Sequence, residues 1–149
     1  MIVGEAPGDN EDKTGKPFRG DAGANLNKLL EKVGIDRNTV FVTNVVKCRP
    51  VDGNRNRKPK PEEVNSCLPY LTRQLKLVRP GITVLLGATA LNAFFPNKKI
   101  GDVHGQVLAR DGQQFFATYH PAAQIYNKEL GPVMEEDFHT LSRLIKTHL

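Results

Sequence analysis

Ile82-Thr83-Val84-Leu85-Leu86-Gly87 is a nearly unbroken apolar run ended by a glycine. A strand with one wet face would alternate apolar and polar residues. A continuous run marks a strand covered on both faces, as in a parallel sheet. On its amino side, Pro61-Glu62-Glu63 opens a helix, because proline suits the first turn and acids suit the positive end of the helix dipole. Val64, Cys67, Leu68, Leu71, Leu75 and Val78 then recur at helical spacing until Arg79-Pro80-Gly81. On its carboxyl side, Ala88 to Phe95 reads as a short helix before Pro96. One step further out stand two more strands, Val40-Phe41-Val42-Thr43 ending at Asn44, and Gln114 to Tyr119 ending at His120-Pro121. Between Lys98 and Gly112 the chain turns at Arg110-Asp111-Gly112, a small hairpin.

At the outer edges, Met1-Ile2-Val3 reads as the end of a strand. A helix starting at Gly20 or Asp21 presents Leu26, Leu29, Leu30 and Val33 on one face and stops at Gly34. A last helix, from about Val133 to Leu149, aligns Met134, Phe138, Leu141, Leu144 and Ile145. Strand and helix alternate throughout, the grammar of a parallel sheet with helices on both faces, here in one domain over 1–149. Two stretches are read as loops. Gly4 to Gly20 is too rich in glycine, proline and carboxylates for regular structure, and Val45 to Pro59 is long and basic.

Parallel strands present their carboxyl ends on one rim, where ligands of open α/β sheets bind. That rim collects Gly4-Glu5, Thr43-Asn44, Gly87-Ala88 and Tyr119-His120. Any one of these is an ordinary strand terminus. An acid, an amide and an imidazole converging there suggest chemistry.

With 21 Lys and Arg against 16 Asp and Glu, the net charge of +5 suits an anionic partner without identifying one. No apolar run is long enough to span a bilayer and no signal-peptide pattern opens the chain, so an intracellular, cytoplasmic protein without membrane contact is expected. Two cysteines, Cys48 and Cys67, are too few for a disulfide framework. No Gly-x-Gly-x-x-Gly turn signals a dinucleotide enzyme.

Five segments together resemble the family 4 uracil-DNA glycosylases, the iron-sulfur branch of that superfamily. They are Gly4-Glu5-Ala6-Pro7-Gly8 with Glu11-Asp12; Pro17-Phe18-Arg19-Gly20; Thr43-Asn44-Val45-Val46-Lys47-Cys48-Arg49-Pro50; Asn54-Arg55 with Pro59 to Glu63; and Thr118-Tyr119-His120-Pro121-Ala122-Ala123. Each alone is weak, but they occur in order over nearly the whole chain. The resemblance implies a three-layer αβα sandwich around a four-stranded parallel sheet, and excision of uracil from DNA by a monomer. An alternative is a DNA-binding relative without catalytic activity. A branch that traps uracil-DNA covalently needs a histidine after the asparagine strand, and Val45 to Pro61 holds none.

Such an enzyme must take the base out of the stack and read its edge in a pocket. Phe18 would stack on the extruded base. Asn44, whose amide both donates and accepts, would pair with uracil O4 and N3–H, leaving cytosine mispaired. By resemblance, His120 donates to uracil O2 as negative charge develops on the leaving base. Ala6 stands where the best-studied branch carries a water-activating aspartate. Glu11, by resemblance, excludes the 5-methyl of thymine and helps order water, and Glu5 shapes the pocket. Lys47, Arg49, Arg55, Arg57, Lys58 and Lys60 would neutralise phosphates, and Ile125 or Tyr126 falls where the superfamily inserts a side chain into the vacated stack. Cys48 and Cys67 match two of the four cysteines that hold the family's four-iron four-sulfur cluster. The other pair lies upstream of the first strand in the family and is missing from this sequence, so no intact cluster is expected here.

Overall fold

In the computed structural model, which describes residues 1–148, side-chain alternation along the central strands sorts the core into two halves. Strands β1 (Ile2–Gly4), β2 (Val42–Asn44), β5 (Thr83–Leu86) and β7 (Gln113–Thr118) run parallel in the order β2-β1-β5-β7. Ile2, Val84, Leu86 and Phe116 point to one face, where they pack with Leu26, Leu29 and Leu30 of α2 (Asp21–Lys32) and Met134, Phe138 and Leu141 of α7 (Leu130–His148). Val3, Leu85, Phe115 and Ala117 point to the other, against Leu71 of α3 (Pro61–Val78), Ala90 and Leu91 of α4 (Ala88–Phe94) and Val103 of α5 (Ile100–Val103). With helices on both faces, β1 and β5 bury every side chain, which is why the run at Ile82 reads as continuous.

The expected four parallel strands are all present, and a fifth joins them. β6 (Gln106–Arg110) pairs antiparallel with β7 through the turn at Asp111-Gly112, closing one edge of the sheet. Asp111 and Gly112 both have positive φ, as a tight primed hairpin turn requires.

Two stretches read as loops contain regular structure. Asp9–Thr14 forms α1, begun by a capping box in which the Glu11 carboxylate accepts from Gly8 N at 2.8 Å and ended by left-handed Gly15. The acids Asp9, Glu11 and Asp12 fall in its first turn, where the helix dipole favours them. Within the second stretch, β3 (Val51–Asp52) and β4 (Arg55–Asn56) pair into a separate ribbon around Gly53. Both elements are too short for hydrophobic periodicity to reveal. A 3₁₀ turn at Arg37–Thr39 also delays β2 to Val42. The final helix begins at Leu130, and its expected end at Leu149 lies outside the described residues. Among the described residues, no helix is long and apolar enough to cross a membrane.

Close backbone approach at Gly23 sets where α2 sits. A Cβ there would overlap the carbonyl of Phe18, a residue itself held at φ 54°. Gly23→Ala is expected to cost about 1–3 kcal/mol, the usual range for overpacking, read from urea unfolding midpoints. Gly101→Ala, at an exposed helical position whose nearest neighbour would be Tyr119 Oη at 3.7 Å, is the control and should leave the midpoint unchanged or higher.

Candidate functional site

The chain leaves β1 toward α2 on one face and leaves the neighbouring β5 toward α4 on the other. Between their carboxyl ends lies the switch point at which α/β sheets bind ligands. A cleft of about 570 Å³ opens there, lined by Glu5 to Glu11, Gly20 to Ala22, Pro50, Asn56, Arg57, His120, Ala122, Ala123 and Tyr126. At its floor is a cavity of about 40 Å³ bounded by Ala6, Glu11, Phe18, Ala22, Asn44 and His120. The residues singled out at the rim therefore meet in one place. Thr89, in the first turn of α4, donates to Glu5 Oε2 at 2.7 Å and ties the two sides of the switch point together.

His120 follows β7 and is fixed from two directions. Gly87, at φ 90°, leaves room for it, since a Cβ there would stand 3.0 Å from the His120 Cβ. Ala122 N donates to His120 Nδ1 at 3.1 Å. A backbone N–H can only donate, so Nδ1 carries no proton and the neutral ring holds its hydrogen on Nε2. Burial pushes the His120 pKa below its usual value, the Glu5 carboxylate opposing weakly. The ring is thus a neutral Nε2–H donor at ordinary pH. Phe18 stacks on it with centroids 5.6 Å apart and planes at 26°.

Asn44 is 6% exposed, and its Oδ1 is a buried acceptor with no partner among the described residues. Leaving such a group unsatisfied costs roughly 1–3 kcal/mol, which marks it as awaiting a donor. Glu11 is held by two backbone amides. Its Oε1 accepts from Gly8 N at 2.8 Å and its Oε2 from Arg19 N at 2.6 Å, so the carboxylate clamps the loop after β1 to the loop carrying Phe18. Ala6 contributes a methyl wall and no ionisable group.

The cations divide. Arg55, Lys58 and Lys60 are exposed, on or just after the ribbon. Arg57 borders the cleft but is paired with Glu63 at 2.6 Å; that guanidinium, with the Lys60 backbone N–H, holds the Glu63 carboxyl down to about 2. Arg49 spans from Asp9 Oδ1 at 3.2 Å to Asn56 Oδ1 at 2.7 Å and Asn54 O, bracing the ribbon against α1. Lys47 does not face the cleft as a phosphate contact would. Its ammonium turns inward to Thr43 Oγ1 at 2.8 Å, Asn44 O at 2.6 Å and Gln74 Oε1 at 2.6 Å, and burial lowers its pKa to about 8. Tyr126, the last residue of the short helix α6 (Ala123–Tyr126), stands on the cleft rim, 89% exposed, with Ile125 half exposed beside it.

Cys67 Sγ accepts from Lys47 N at 3.4 Å, so its thiol lies against the backbone next to Cys48, which is exposed. Among the described residues, no group of three or more His, Cys, Asp or Glu is placed to hold a metal ion. Two thiols make half of a four-thiolate site, and the residues present do not fit a four-iron four-sulfur cluster.

Three contributors were missed in the sequence. Thr89 lies two residues beyond the glycine that ends β5, the same rim as the acids, and that position was a usable signal. Gln74 falls three residues after Leu71 and four before Val78, a lone amide on an otherwise apolar stripe. Ala22 lines the cavity through a methyl group that no sequence pattern distinguishes.

The family model described as the Uracil DNA glycosylase superfamily matches residues 1–141. Among curated proteins, a type-4 uracil-DNA glycosylase of Sulfurisphaera tokodaii is 41% identical, covering 99% of this chain and 70% of its own length. Those of Thermotoga maritima, 41% identical over 98% and 77%, and of Archaeoglobus fulgidus, 42% over 97% and 75%, are similarly close.

The imidazole assignment can be checked directly. Nitrogen-detected NMR is expected to show His120 with Nε2 protonated and Nδ1 bare at pH 7, titrating below an exposed histidine. Because its folded pKa is depressed, the stability it contributes is present above about 6.5 and is lost as pH falls toward the folded value.

Proposed function

The chain belongs to the uracil DNA glycosylase superfamily, and on that premise we propose how it acts as a uracil-DNA glycosylase, flipping uracil out of DNA and hydrolysing its N-glycosidic bond to leave an abasic site. The observation that carries the site assignment is the unpartnered Oδ1 of Asn44 at the floor of a cavity it shares with His120. Uracil N3–H supplies the donor that this oxygen lacks, while Asn44 Nδ2 donates to O4. Cytosine has an acceptor at N3 and a donor at position 4, so it would leave both ends of the amide mispaired, a strong basis for rejection.

As the C1′–N1 bond breaks, its electron pair goes to the base and positive charge develops on the sugar. The Nε2–H of neutral His120 donates to uracil O2, where negative charge accumulates; a preorganised donor of this kind contributes about 3–4 kcal/mol. Being neutral, it stabilises the anion without giving up its proton. Glu5 lines the cleft with Oε2 held by Thr89, and its carboxylate stabilises the cationic sugar and orients the water that adds to C1′, whose released proton passes through solvent to the uracil anion. Glu11, anchored through two backbone amides, acts as a rigid wall against the 5-methyl of thymine. Phe18 supplies the stacking face. The cavity as it stands holds about a water, so a base is admitted when the Phe18 side of it gives way, His120 staying fixed by Gly87 and Ala122. Tyr126 and Ile125 are positioned to fill the gap left in the duplex, and Arg55, Lys58 and Lys60 to meet phosphates.

A uracil-containing oligonucleotide should yield strand breaks only after alkali, because an abasic site without lyase chemistry stays intact; breaks before alkali would count against hydrolysis as the sole activity. His120→Ala should slow single-turnover release by roughly 100-fold or more, and Asn44→Asp should erode discrimination against cytosine. Replacing pairs among Arg55, Lys58 and Lys60 should instead weaken binding to uracil-containing and ordinary DNA alike and reduce the salt slope.

A further inference from the structure

The peptide group that leaves Asn44 is clamped at both ends. Its N–H, on Val45, donates to Gly4 O at 2.9 Å. Its carbonyl accepts from Lys47 Nζ at 2.6 Å. The same ammonium reaches Thr43 Oγ1 at 2.8 Å, one residue before Asn44, and Gln74 Oε1 on α3 at 2.6 Å. Gln74 Oε1 also accepts from Thr43 Oγ1 at 3.1 Å. All three acceptors are neutral oxygens, and together they occupy the three ammonium hydrogens. A cation meant for phosphate would keep its charge in solvent, so this arrangement calls for another reason to bury it.

We propose that Lys47 is a positioning residue for base recognition, which with Gln74 locks the Asn44 backbone so that its unpartnered Oδ1 and its Nδ2 meet the edge of uracil at a fixed angle. The inference rests on the base-reading role assigned above to Asn44. β2 is the outermost strand of the sheet, and the backbone N–H groups of Val45 and Val46 serve Gly4 O and Glu5 O on its inner side, so no neighbouring strand holds the Asn44 carbonyl on its outer side. The Lys47 ammonium takes over there, bridging the strand end to α3. Gln74 in turn holds the ammonium, which explains an amide on the apolar stripe of that helix. A charged donor is the strong choice for this position, because hydrogen bonds with one ionised partner are about twice as strong as neutral ones. A displacement of about 1 Å in a positioned group can cost on the order of 100-fold in rate. Methionine has the length of the lysine stem without the donor, and glutamate at 74 keeps the acceptor.

Lys47→Met and Gln74→Leu are therefore expected to lower single-turnover uracil excision by about 10- to 100-fold and weaken inhibition by free uracil. Binding to DNA carrying a non-cleavable abasic analogue, and its salt slope, should stay at wild-type levels. Gln74→Glu should retain most of the activity. In an Asn44→Ala background, Lys47→Met should cost little more, since both changes remove the same contact. If Lys47→Met instead weakens abasic-DNA binding and reduces the salt slope, Lys47 is a phosphate contact and the proposal fails. It fails equally if the losses in the Asn44→Ala background are fully additive. Should Lys47→Met not fold, the Gln74 variants carry the same test, because Gln74 lies on α3 behind the strand end. Wild-type protein that folds but releases no uracil would sink the glycosylase reading instead. In that event the Val45 amide resonance, which reports the clamped peptide, must still shift in Gln74→Leu for the positioning role to stand.

Discussion

Gly4 is paired with Asn44 across β1 and β2, and neither the sheet nor the pocket tolerates a side chain between them. A Cβ on Gly4 would lie 2.6 Å from Asn44 Oδ1 and also strike the Phe18 ring. The missing side chain therefore brings the amide and the aromatic ring together over the end of β1. Register fixes the pairing, and a slip of one residue would turn Asn44 to the opposite face of the sheet. Every other site residue is arranged around this contact. Glu11 ties the Phe18 loop to the loop after β1, and Gly23 lets the Phe18 backbone rest on α2.

The four parallel strands were legible as apolar runs bounded by turn or polar residues, and α2, α3 and α7 because each carries a periodic apolar face long enough to count. The rim was legible for a related reason: once strands are placed, topology dictates that Glu5, Asn44, Gly87 and His120 lie on one side. What escaped was short or depended on direction. Six residues of α1 and two-residue strands in the ribbon offer no period to detect, and their acids and glycines resemble loop composition. The side-chain heading of Lys47 could not be read from a run of basic neighbours, since Lys58 and Lys60 share its charge but not its burial. Nor does a sequence reveal that both Glu11 oxygens are taken by backbone amides.

The basic segment after β2 also shows how a charged loop can be ordered without a core. The ribbon buries no side chain of its own. Arg49 fastens it to Asp9 at the start of α1, and Arg57 fastens its outgoing chain to Glu63 in the first turn of α3. Exposed ion pairs are individually weak, yet these are reinforced by hydrogen bonds to Asn56 Oδ1, Asn54 O and Val51 O. Arginine suits the task because one guanidinium can engage several oxygens in a fixed plane. The cations left unpaired are then displayed on a braced scaffold beside the cleft.

The stack of Phe18 on His120 leaves a resting pocket with room for about a water, smaller than a base. A ligand that binds only an enlarged form has its apparent affinity multiplied by the fraction of molecules in that form, and so weakened. A base that visits the cleft only briefly then has less chance of meeting the enlarged pocket. A nucleotide in a weak or mismatched pair, which is extruded at lower cost, remains outside the helix long enough to coincide with an opening. Selection in such a pocket begins with how long a base stays out, before any hydrogen bond to its edge is tested.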